Sequence, residues 1–212
     1  MKTIKALLTG GVIAGPLYLI VGLIEAFTRE GFDITKHSLS LLSNGTLGWI
    51  HVSLFVITGL LVIGASLGIG KCIPQGAARV WAPVLLGLYG LGLIASGIFI
   101  ADPGFGFPPG TPAGPPTAVT FGGMMHFVAG GIGFIGLIAA CFVLAAWFRK
   151  AGLKGWRSFS QITGIVFVLG FVGIASGGGS SWSILGFWIA VILSWVWISK
   201  VSAYFRSGVK TV

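Results

Sequence analysis

The sequence predicts an all-α integral membrane bundle of six transmembrane helices, on three observations. Of 212 residues, 55% are hydrophobic and only 8% are charged, whereas a soluble domain carries roughly a quarter of its residues as charges. The apolar residues gather in six runs, each near the ~20 helical residues that a hydrocarbon core of about 30 Å requires. These runs also lack the alternating polarity of a membrane β-barrel strand. Because lipid offers backbone groups no partner, helices are the remaining way to cross it.

Taken in order, the first span covers residues 4–27 and begins between Lys2 and Lys5. Its apolar stretch exceeds that of a signal peptide and no A-x-A cleavage site follows, so it reads as a retained span. The second, third and fourth, residues 50–70, 80–101 and 124–148, contain no Lys, Arg, Asp or Glu. The fifth and sixth, residues 159–176 and 182–199, are shorter and flank Gly177-Gly178-Gly179, which predicts a tight helical hairpin. All six belong to one transmembrane domain spanning residues 1–212. Gly11-x-x-x-Gly15 and Gly64-x-x-x-Gly68 are small-residue faces suited to close helix contact. In the fourth span His126, Gly130, Gly133 and Leu137 share a face. That face is either tight packing or a narrow apolar slot below a polar mouth.

Orientation follows from Lys and Arg on alternate loops. Lys2, Lys5, Lys71, Arg79, Arg149, Lys150, Lys154, Arg157, Lys200, Arg206 and Lys210 fall on one side, and only Arg29 and Lys36 on the other. Both termini are therefore expected in the cytoplasm of a prokaryotic cell, with the protein in its plasma membrane. The +9 net charge is dispersed over four inner segments, which argues against nucleic acid as a partner. An aromatic belt is expected from Trp49 and Trp182 outside and from Trp81, Trp147, Trp195 and Trp197 inside, with Trp188 packing mid-span.

All four acidic residues (Glu25, Glu30, Asp33, Asp102) and all three histidines (His37, His51, His126) fall on the outer half. The positive-inside rule is largely silent on acids, so this one-sidedness needs its own cause. Glu25, His51, Asp102 and His126 sit at helix ends, at one membrane level. Ionisable groups at such depth usually face a bundle interior or a watery cavity. Two outer loops lie over them. In the first, Ser38-Leu39-Ser40-Leu41-Leu42-Ser43 suggests a short interfacial helix capped by Ser38 or Ser40. The second, residues 102–123, holds six of the nine prolines and is expected to run extended. Its Phe105, Phe107 and Phe121 favour a lid packed on the bundle.

The stretches REGFDITKHSLSLLS, GIFIADPGFGFPP and GGMMHFVAGGIGF, with GW before the second span, resemble the bacterial and archaeal "domain of unknown function 998" membrane family. The resemblance covers residues 15–140 and falls on Arg29, Asp33, Ser38, Ser40, Asp102, Pro103 and His126; His51 is not part of the pattern. It implies five or six spans and supplies no activity.

Several chemistries share these residue types. His51, His126 and either Asp102 or Glu25 have the composition of a two-histidine, one-carboxylate metal set, although no H-x-x-x-H spacing ties two ligands together. Ser38, Ser40, Asp102 and His126 have the composition of a membrane-embedded lipid hydrolase, which requires a base within reach of the serine. His51 and His126 are the one pair available to a haem. A midplane almost empty of ionisable groups argues against ion-coupled transport. Gly131-x-Gly133-x-x-Gly136 matches a dinucleotide fingerprint but lies inside an apolar span without a preceding strand.

The reading taken forward is an outer-face polar site beneath the proline-rich loop that binds, and in an enzyme version modifies, a lipid or similar amphiphile. Arg29, Asp33, Ser38, Ser40 and Glu25 would bind it, Asp102 and His126 would carry any catalysis, and His51, His126 and Asp102 would hold any metal. Other cofactors are unassigned, and membrane lipids are the expected partners. The rivals are a structural or accessory subunit, as a homo-oligomer or in a membrane complex, and a small-molecule transporter.

Overall fold

A computed structural model describes residues 1–176 and 180–209; the expected Gly177-Gly178-Gly179 turn and Lys210 lie outside them. Six helices make up the bundle: α1 (Lys2–Thr28), α2 (Gly48–Cys72), α3 (Ala77–Ile98), α4 (Phe121–Lys150), α5 (Lys154–Ala175) and α6 (Ser181–Gly208). All six are long and apolar enough to cross a membrane, and no strand occurs among the described residues. Most helices outrun the apolar runs that announced them, because polar residues such as Lys154 and Lys200 continue a helix beyond the hydrocarbon level. The third stops early. Phe99 turns extended (φ −96°, ψ 102°) after donating to Ala95 O, and the chain leaves toward Asp102-Pro103.

Each helix packs mainly against its neighbours in the chain, and α6 returns against α1 to close a ring. Glycines set the close approaches. A Cβ at Gly92 would stand 2.9 Å from Gly133 Cα, and one at Gly59 would stand 2.7 Å from Gly90 O. Gly11 and Gly15 abut Ser202, Ser199 and the Trp195 backbone of α6, while Gly64 and Gly68 face Leu7 and Leu8 of α1. Both expected small-residue faces are therefore helix contacts.

Aromatic side chains pack much of the inside of the ring. Trp195 and Trp197 are fully buried rather than part of an inner belt, a correction to their expected placement. Trp195 stacks on Tyr18 with ring centroids 4.4 Å apart, and Trp197 Nε1 donates to Ser160 Oγ at 2.9 Å. In an apolar bundle, a tryptophan whose N–H finds a partner packs inward as readily as at the interface. Trp49, Trp182 and Trp81 are exposed, as belt residues should be.

At the end carrying all the acids and histidines, the loops depart from expectation. The first contains a 3-10 helix, Leu39–Ser43, with Leu39, Leu41 and Leu42 buried. It is a plug in the ring's mouth rather than an interfacial helix. Ser38 occupies its N-cap position, yet its hydroxyl meets Ser40 Oγ at 3.1 Å instead of a backbone N–H. The proline-rich loop is compact rather than extended. Gly106 N donates to Pro112 O at 3.1 Å and Thr111 N to Pro108 O at 3.0 Å, while Phe107 is buried against Phe32 and His37. Burial of one phenylalanine and a few turn hydrogen bonds outweigh the proline preference for extension.

Candidate functional site

The last turn of α1 and the first of α2 bring Glu25 and His51 together. His51 Nδ1 donates to Glu25 Oε2 at 2.8 Å, and Arg29 Nη1 approaches Glu25 Oε1 at 3.4 Å. Arg29 spends its other donors on Leu42 O (3.1 Å) and Asn44 O (2.6 Å), and its guanidinium lies over the Phe107 ring. Gly45 follows Asn44 with φ +75°, and a Cβ there would stand 3.2 Å from that guanidinium. Such backbone strongly favours glycine. His51 Nε2 is sealed in protein without a partner, between the rings of Tyr18 and Phe55.

His37 ties the end of the ring together. Its Nδ1 accepts from Asp33 N at 2.9 Å, which leaves Nε2 to donate to Phe105 O at 2.9 Å. Phe105 presents that carbonyl from a left-handed backbone (φ +58°), rare for a residue with a side chain. The His37 carbonyl accepts from Trp188 Nε1 at 3.0 Å. One buried residue thus joins both loops to α6. Trp188→Phe removes that donor and is expected to cost about 1 kcal/mol, read as a lower melting temperature and faster proteolysis of the first loop. An unchanged melt and cleavage rate would show that this tie carries no stability. Asp33, by contrast, is turned to its own loop, accepting from Thr35 and pairing with Lys36 at 3.0 Å. The Thr35 hydroxyl first, then Lys36 and the Thr35 N–H, hold its carboxyl well below the usual carboxylate range.

Asp102 closes the opposite side. Its Oδ1 accepts from Thr120 Oγ1 at 2.6 Å and its Oδ2 from Thr120 N at 2.9 Å, while Thr120 Oγ1 accepts from Gly123 N and caps α4. The carboxylate lies so close to Gly123 that a Cβ there would collide with it, and a negative group at a helix N-terminus is favourable. One turn on, His126 Nδ1 lies 2.8 Å from Phe99 O and 3.2 Å from Ser96 O. Both partners are carbonyls, so Nδ1 carries the proton. Its Nε2 has no partner among the described residues and, unlike His51 Nε2, is not sealed in protein.

His126 borders a cavity of about 130 Å³ in the middle of the ring. Tyr18 and Trp195 border its depth, Gly130, Gly131 and Phe134 its wall, and Ser38, Leu39 and Ser40 its roof. No residue of the proline-rich loop borders it; that loop instead braces the first one, through His37 and through Asn44 Nδ2, which donates to Ala101 O at 3.0 Å. Both readings of the α4 glycine face hold in part. Gly133 packs on α3, whereas a Cβ at Gly130 or Gly131 would meet nothing closer than 3.7 Å.

The family model described as protein of unknown function (DUF998) matches residues 12–204. The chain belongs to the DUF998 family. Searches of curated proteins and of solved structures returned no match.

In this DUF998 bundle the sequence candidates divide into three. Ser38, Ser40 and His126 meet at the cavity; Glu25, Arg29 and His51 form a closed cluster beside it; Asp33 and Asp102 serve their own loop and helix cap. Among the described residues no three His, Cys, Asp or Glu side chains gather closely enough to hold an ion. The candidate metal set of His51, His126 and Asp102 is not assembled, because each turns to a different partner. Nor does Asp102 orient His126, since no hydrogen bond joins them. Thr120 and Ser96 escaped the sequence reading. Thr120 three residues before Gly123 is a capping signal that was there to be used.

Proposed function

We infer that this six-span membrane protein binds a lipid or similar amphiphile in the cavity roofed by Ser38–Ser40. The observation that carries the reading is a mostly apolar hollow bordered by a few polar residues, Ser38, Ser40, Ser96 and His126, with the polar-tipped rings of Tyr18, Tyr89 and Trp195 besides. Sites for small molecules combine mostly apolar walls with a few such convergent groups. Access from lipid is supported at the α4–α5 side, where the bordering residues Phe127 and Ala175 are also exposed on the outside of the bundle. The volume suits a headgroup and a short part of a chain, since an apolar cavity of roughly 150 Å³ takes up benzene. The rest of the chain leaves between α4 and α5. On this reading the basic end faces the cytoplasm and the site opens to the outer leaflet.

Native mass spectrometry of purified protein tests this. Wild type is expected to retain a lipid-mass adduct that Gly131→Phe loses, because a ring there fills the wall beside Phe171. A folded Gly131→Phe protein with undiminished adduct would sink the reading.

A further inference from the structure

Resting on that cavity as a binding site, the groups of His126, Ser38 and Ser40 at its border narrow the ligand further. We propose that the cavity takes an uncharged amphiphile carrying a hydroxyl, which donates to His126 Nε2 and accepts from Ser38 or Ser40. The direction of the His126 bond follows from its other nitrogen. Nδ1 donates to the carbonyls of Phe99 and Ser96, so the neutral ring offers Nε2 as a lone-pair acceptor. The matching ligand group is a donor, and a deprotonated phosphate or carboxylate has none. Positive charge is also missing. Among the described residues no Lys or Arg borders the cavity. The nearby guanidinium, Arg29, is occupied by Glu25, Leu42 O and Asn44 O. An anion brought into this apolar wall would lose its hydration without compensation. The serines complete the pattern. Ser38 and Ser40 hydroxyls are 3.1 Å apart, and a pair of hydroxyls sharing one bond keeps a proton free to donate to an incoming oxygen.

A ligand series on the full-length protein in nanodiscs separates the cases. The probes are a long-chain alkanol brominated near its hydroxyl end, its phosphate monoester and its methyl ether, with quenching of tryptophan fluorescence as readout. Trp195 borders the cavity, so the part of the quenching lost in Trp195→Phe reports occupancy. The alkanol is expected to bind roughly tenfold or more tightly than the ether or the phosphate. His126→Phe is expected to erase that preference, as is the Ser38→Ala/Ser40→Ala double variant in part. Equal or tighter binding of the phosphate, or an ether that matches the alcohol, overturns the hydroxyl assignment and leaves the cavity as a binding site. Absence of Trp195-dependent quenching by every probe overturns the site itself. The wild-type series decides even if His126→Phe does not fold.

Discussion

Arg29→Met is expected to lower the unfolding free energy in detergent by about 3–5 kcal/mol, the cost of removing one partner from a buried ion pair. The side chains of Arg29 and Glu25 are only 8% and 5% exposed, so water does not replace what the substitution removes. Methionine keeps much of the volume but leaves Leu42 O and Asn44 O without their donor and Glu25 with His51 alone. The effect should reach beyond the pair. Leu42 belongs to the 3-10 plug, and Phe107 packs its ring against the guanidinium, so both loops loosen together. Glu25→Gln is expected to destabilise as well, by stranding Arg29. The Glu25→Gln/Arg29→Met double variant should then cost less than the two singles added, because residues sharing one network are not independent. Denaturant unfolding followed by near-ultraviolet circular dichroism measures all three. Strict additivity, or a single variant that unfolds like the parent, would falsify the account of this cluster as one coupled unit.

The helices were legible because each apolar run has to bury its backbone in lipid, a constraint read residue by residue. What the runs did not carry was depth. Trp195 and Trp197 have the placement of interfacial residues, and only the packing of α6 shows them to be core, Trp195 against Tyr18 of α1 and Trp197 against Ser160 of α5. The site shows the same division. Placement of Glu25, His51, Asp102 and His126 at one level was readable from span counting, whereas their partners were not. Glu25 and His51 meet because α1 and α2 are adjacent in the ring; Asp102 turns to Thr120 because a helix N-terminus stands beside it. The proline-rich loop misled for a related reason. Proline biases local backbone toward extension, but Phe107 finds a buried seat among Phe32, His37 and Arg29, and tertiary burial wins. As a result the roof of the cavity comes from the first loop, through Ser38–Ser40, and not from the proline-rich loop beneath which the site was expected.

Gly15→Val is expected to be the most damaging single change to the ring itself, by about 3 kcal/mol, the upper end of the usual cost of overpacking. A Cβ at Gly15 would stand 2.5 Å from Trp195 O and closer still to Ser199 Oγ. The serine could rotate away, but the carbonyl is part of α6 and moves only if the helix does. Separating α1 from α6 pulls Trp195 off Tyr18, against which it stacks, and both rings border the cavity. The substitution should therefore weaken binding of the brominated alkanol as well as lower stability, with the Trp195 part of the emission shifted. Gly186→Ala, on α6 itself, supplies the opposite case. Among the described residues nothing lies within 4 Å of a Cβ at Gly186, so alanine there should stabilise by roughly 0.5–1 kcal/mol through lost glycine freedom. A Gly15→Val protein that unfolds and binds the brominated alkanol like the parent would show that α6 does not close the ring through this contact.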